Sequence, residues 1–234
     1  NKYWVPPIIS DEVATLTKGK NPALIDSDAH FFLAYKNNKL AGRVAAIINW
    51  VEVNEQKVRK MRFGWFDVID DIEVTKVLLD KVIEIGKENK LEYIEGPVGF
   101  SNLDKVGTLT DGFDHIGSMA TWYNHPYYSK HFEQLGFKPE KEYLESKFYL
   151  SSLKNGRFLK ASDLIIRRYQ VYPRNFSDTK DIIPHLDTMF DLLNESYAKL
   201  SSFVPISALQ REYFKKKLRS RLENPHLPSD RLSG

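Results

Sequence analysis

Apolar and polar positions along this chain recur at two periods, and each change of period marks an element. Phe31-Phe32-Leu33-Ala34-Tyr35 predicts a strand. Lys36-Asn37-Asn38-Lys39 reads as its turn, because asparagine tolerates the left-handed backbone of a tight hairpin. Residues 40–48 are apolar at almost every position, as expected of a strand covered on both faces. A third strand is predicted within residues 58–69. The period then lengthens. Val74, Val77, Leu78, Val82 and Ile85 fall on one helical face and Lys76, Asp80, Lys81, Glu84 and Lys87 on the other, which predicts an amphipathic helix over 73–89.

Shorter segments flank this block. Residues 11–18 predict a helix with Asp11 as its N-cap. Residues 91–95 predict a strand closed by Gly96-Pro97, and 99–117 form a glycine-rich loop. Residues 118–123 predict a strand, and 126–135 a short helix stopped by Gly136. Residues 137–150 supply one or two further strands. Beyond a linker, 164–171 reads as a strand and 181–200 and 207–222 as helices. The fold class is therefore α/β (α+β), with one mixed central sheet flanked by helices.

Composition narrows the function classes. The 234 residues contain no cysteine, which excludes disulfides, thiolate metal sites and a cysteine nucleophile. No apolar run reaches the roughly 18 residues a membrane span needs, so no membrane partner is expected, and a cytoplasmic location is. Charge is uneven. Residues 1–150 carry 19 Lys and Arg against 22 Asp and Glu, a net of −3, whereas 151–234 carry 15 against 9, a net of +6. The shift suggests a boundary near residue 150. The basic tail is read as a solvated helix face rather than a nucleic-acid site, because few aromatics interleave its cations. The six histidines show no metal-ligand spacing, so no metal is expected. The chain opens Asn1-Lys2-Tyr3-Trp4 and closes in a loop-like run over 228–234, which reads as a piece of a longer protein.

Gly42-Arg43-Val44-Ala45, in the second strand of the hairpin, and Phe132-Glu133-Gln134-Leu135-Gly136-Phe137, at the end of the short helix, resemble patterns of the GNAT N-acetyltransferase superfamily, whose own helix end is tyrosine-led. Gly96-Pro97-Val98-Gly99-Phe100, Asp111-Gly112-Phe113-Asp114 and Tyr123-Asn124 followed by Pro126-Tyr127-Tyr128 resemble a bacterial group with two such halves. The resemblance implies a GNAT-like domain over 1–150 lacking its first strand and helix. It further implies a linker over 151–163 and the opening of a second unit over 164–234, a strand plus two helices. It implies an acyl-CoA-dependent N-acetyltransferase; the alternative is a non-catalytic module binding a small ligand or a partner. A homodimer is a candidate assembly.

The resemblance also directs attention to particular residues. The family's pyrophosphate loop falls on Asp70, Glu73 and Thr75, where carboxylates replace the small residues that admit phosphates. Acetyl-CoA is therefore expected outside residues 1–150. The alternative reading makes Asp70 or Asp71 the cap of the following helix. Phe132 stands where the family often has a proton-donating tyrosine. Tyr128, one turn earlier, is the candidate general acid or else a packing residue. Asp67 and Glu95 are candidate bases. Asn102, Asp104, Trp122, Tyr123 and Asn124 set polar groups on an aromatic wall, a pattern that suits a small-molecule pocket.

Overall fold

The computed structural model describes residues 1–101, 103–151, 156–200 and 203–223. Its centre is a four-stranded mixed sheet in the order β1-β2-β3-β4, flanked by helices, an α+β arrangement. β1 (Ser27–Lys36) and β2 (Lys39–Asn49) form the expected hairpin. Asn37 and Asn38 occupy its turn with φ of 53° and 60°, as a two-residue connection requires. β3 (Lys60–Val68) runs antiparallel to β2, and β4 (Tyr93–Glu95) runs parallel to β3.

Helices precede and interrupt the sheet. α1 (Ile9–Leu16) lies ahead of the hairpin, and α2 (Trp50–Asn54) turns the chain between β2 and β3. Asn49 caps α2 by accepting from the N–H groups of Val51 and Glu52. α3 (Ile72–Glu88) is the predicted amphipathic helix, and it lays Val74, Leu78, Leu79 and Val82 on the sheet. α4 (Tyr127–Gln134) covers the same face and brings Tyr128 into that core.

The two sheet faces are covered unequally. One carries Val44, Ala46, Ile48, Met61, Phe63, Phe66 and Val68 beneath α3 and α4. The opposite face gathers Ala45, Ile47, Trp65 and Phe100, with Leu16 and Trp122 packed against them. The Trp65 indole N–H donates to Glu12 at 2.7 Å, which ties α1 to β3.

Three strand expectations differ from the structure. Residues 118–123 make turns and bends, and 137–149 join no ladder among the described residues. Residues 164–171, read as a strand, belong mainly to α5 (Gly156–Tyr169), which also runs through much of the span read as linker. The Leu164-Ile165-Ile166 run suggested a strand. Phe158, Ala161, Ile165 and Tyr169 carry a helical spacing that starts earlier and prevails. The span 164–234, expected to open on a strand, thus begins within a helix. α6 (Leu186–Tyr197) and α7 (Ala208–Glu223) follow as expected. Buried Phe203, Val204 and Ile206 link them, and Gln56 donates to the Phe203 carbonyl at 3.0 Å.

Candidate functional site

Two properties of β3 create the site. Its first residues pair with β4 over Lys60–Arg62 only, after which the chain turns away through Gly96 and Pro97. Val98 still donates to the Phe63 carbonyl at 2.7 Å, so the two chains separate beyond Phe63. Glycine permits this approach. A Cβ on Gly64 would lie 2.5 Å from the Val98 carbonyl oxygen. Further on, the β2–β3 register slips between Arg43 and Ala45, and Trp65 takes a φ of 45°, unusual for so bulky a residue.

The closed end of β3 is fixed by charges that the sequence reading missed. Arg62, fully buried, donates through Nε and Nη2 to the two Glu52 carboxylate oxygens at 2.7 and 2.6 Å. Its Nη1 donates to the Gly99 carbonyl at 2.9 Å. Lys60 bridges Glu52 at 2.9 Å and Glu95 at 2.6 Å. Two cations and two anions thus lock α2, β3, β4 and the following loop together. Glu95, one candidate base, is spent here. Ten residues separate Glu52 from Arg62, and no local motif announces their meeting.

The far end of β3 is different. A cleft of about 330 Å³ opens there, lined by Trp4, Asp67, Val68, Tyr123, Asn124, His125, Tyr127 and Tyr128 among others. Tyr128 accepts the Val68 N–H at 3.1 Å, and Tyr127 donates to the Val68 carbonyl at 2.6 Å. The two hydroxyls occupy strand positions that β4 has vacated. Burial pushes the Tyr128 hydroxyl far above its ordinary range. Burial, with Asp70 and Asp67 nearby, also raises Tyr127. A proton-transferring acid works best near the ambient pH, so Tyr128 is built to hold its proton and hydrogen-bond.

Asp67, the other candidate base, reaches the cleft. Arg43 addresses its Oδ2 through Nε at 2.7 Å and Nη2 at 2.6 Å, while Oδ1 has no partner among the described residues. The His125 ring stacks on Tyr127 with centroids 5.5 Å apart. Trp4, His125 and Tyr127 were not singled out in the sequence. Tyr127 had a signal, since it stands beside Tyr128 in the same motif.

The remaining expected residues divide. Tyr123 and Asn124 line the cleft. Asn124 also accepts from the Leu109 N–H at 2.6 Å and donates to the Leu109 carbonyl, so it shapes the loop as well. Trp122 and Asp104 lie elsewhere. Trp122 packs edge-on to Trp65 beneath Lys105. Asp104 accepts from the Ser101 N–H at 3.0 Å, and burial raises its carboxyl. Asn102 lies outside the described residues. Phe132 packs against Phe63, Phe66 and Phe137.

At the start of α3, Asp71 is the cap. It accepts from the Glu73 N–H at 3.1 Å and pairs with Lys36. Lys36 and the helix N–H groups hold its carboxyl below the usual range. Asp70 is exposed and Thr75 buried, and His131 sits between them: Nδ1 is 2.8 Å from the Thr75 hydroxyl and Nε2 is 3.3 Å from Asp70. This order of partners is that of an activated nucleophile. Thr75 has no exposed surface, however, so the trio fastens α4 to α3 instead of meeting a substrate. The pyrophosphate of an acyl-CoA does not fit this N-terminus, where a carboxylate already takes a free N–H and two more acids stand beside it. Among the described residues no group of His, Asp and Glu is arranged to hold a metal ion.

No family model matches the chain. Protein YghO of Escherichia coli (strain K12) is 28% identical over 134 residues, which cover 57% of this chain and 34% of that protein. Bacterial ceramide synthase of Caulobacter vibrioides (strain NA1000 / CB15N) is 24% identical over 135 residues, covering 57% and 35% respectively. The match thus spans about a third of each relative. No solved structure matches.

Proposed function

We propose that this chain is part of an N-acyltransferase and that the cleft at the end of β3 takes the amine-bearing acceptor. The observation that carries the reading is the lining itself: the Asp67 carboxylate with the rings of Trp4, Tyr123 and Tyr127 around one opening. A carboxylate among electron-rich rings attracts an ammonium group. Forming an amide requires that ammonium to lose its proton, and Asp67 and His125 are the groups at hand to take it. The similar protein named a ceramide synthase supports the reading, since a ceramide is the N-acyl derivative of a long-chain amino alcohol. A cleft of about 330 Å³ holds the head of such a molecule and not its whole tail. The reading does not put the acyl donor on α3, whose acidic start repels phosphates.

Calorimetry with sphinganine, a long-chain amino alcohol, and with its N-acetylated form tests this directly. The free amine binds about tenfold tighter or more, because only it carries the charge. Equal affinities, or no binding of either, overturn the reading. A second reading is a non-catalytic module, favoured by the capped start of α3 and by Phe132 in the core. It is distinguished by amine binding with no N-acyl product in mass spectrometry when acyl-CoA is added.

A further inference from the structure

α5 is the unusual helix of this protein. All of its 14 residues except Ile166 are exposed, and none is buried. Phe158, Leu159, Ile165 and Tyr169 are 56%, 67%, 50% and 62% exposed. At 100° per residue, Ala161, Ile165, Phe158, Tyr169, Ile166 and Leu159 share an arc of about 160°, broken only by Ser162. Arg157, Lys160, Arg167 and Arg168 fall on the other side, with Asp163 and Leu164 among them, giving the helix a net charge of +3. Exposed aromatics continue the pattern at both ends, with Phe148 and Tyr149 before the helix and Tyr172 after it.

We propose that α5 is a membrane-surface helix that lies in the head-group region of an anionic bilayer. The charge distribution selects this occupant. A groove on another protein, or a second copy of this chain, would bury the apolar arc without needing four cations beside it. A bilayer uses both: the arc enters the boundary of the acyl chains while Arg157, Lys160, Arg167 and Arg168 meet lipid phosphates. Rings at the flanks suit the interface, where an apolar body and a polar edge are both satisfied. Among the described residues no helix is long and apolar enough to cross a membrane. Lying on the surface is a separate mode, which the sequence reading did not distinguish from spanning. The inference does not depend on the proposed acceptor site.

The experiment is flotation of the whole chain with phosphatidylcholine vesicles, with and without phosphatidylglycerol. Anionic vesicles bind it about tenfold tighter or more, and salt weakens that preference. Ile165→Glu abolishes binding to both kinds of vesicle while circular dichroism and unfolding of the sheet domain stay unchanged, because α5 contributes nothing to that core. Lys160→Glu with Arg167→Glu removes only the anionic preference. Binding that ignores lipid charge, or binding retained in Ile165→Glu, overturns the proposal. So does self-association on sedimentation without vesicles that Ile165→Glu removes.

Discussion

The two ends of β3 are built on opposite principles. At Lys60–Arg62 the strand pairs with β4 and is joined by β2 at Arg62, and its two buried cations are held by buried Glu52 and half-buried Glu95. At Asp67–Val68 the parallel partner has gone, tyrosine hydroxyls stand in for it, and the ion pair with Arg43 is half exposed. A buried charge needs a fixed partner, so the first end resists movement. An exposed pair costs little to open, so the second end is free to exchange partners with a ligand. Rigidity resides at one end of the strand and accessible polar groups at the other.

Glu52→Ala strikes the stable end hardest. It removes the carboxylate that holds buried Arg62 and one of the two that Lys60 meets, and urea unfolding is expected to show a loss of about 3–5 kcal/mol. Arg43→Ala, at the open end, is expected to cost under about 1 kcal/mol in the same measurement. Equal losses would erase the contrast between the two ends.

Gly64→Ala tests the point of divergence, since its methyl group meets the Val98 carbonyl. A cost of about 1–3 kcal/mol is expected, together with faster hydrogen exchange at the Val98 amide. Tyr128→Phe comes next, at about 1 kcal/mol, with faster exchange at the Val68 amide. Its pH dependence has a definite sign. The unfolded chain ionises Tyr128 around its ordinary 10.0, while the folded chain keeps the proton. The group's contribution is therefore complete below that pH and is lost as pH climbs toward the raised folded value. The wild-type protein should lose more stability than Tyr128→Phe between neutrality and strongly alkaline solution.

The smallest structural effect belongs to Asp67→Asn. Stability is expected to stay within about 0.5 kcal/mol, whereas sphinganine affinity falls about tenfold on calorimetric titration. Unchanged affinity would remove Asp67 from the acceptor site.

The legible parts of the sequence were those in which a local rule and the tertiary environment agree. The hairpin followed from alternation plus Asn37-Asn38, and α3 from its 3.6-residue period. Residues 137–149 have strand-like composition, yet no ladder forms among the described residues to receive them. Ile165 and Ile166 favoured a strand locally, and the longer helical pattern overrode them. The site was legible only in part. Tyr128, Asn124 and Tyr123 stood out by motif. The acidic residues at 70–73 correctly read as a capped helix start. Glu52 with Arg62, and Thr75 with His131, meet through tertiary folding and leave no trace at short range.

The tyrosine pair has one more consequence, for solubility. A strand edge with open N–H and C=O groups is a template on which other chains add and aggregate. Val68 offers no such template. Its N–H is held by Tyr128, and its carbonyl is approached by Tyr127 at 2.6 Å and by Tyr128 at 3.5 Å. A foreign strand extending past Phe63 must first displace two ring hydroxyls anchored in a helix. The open end of β3 is thereby closed to polymerisation.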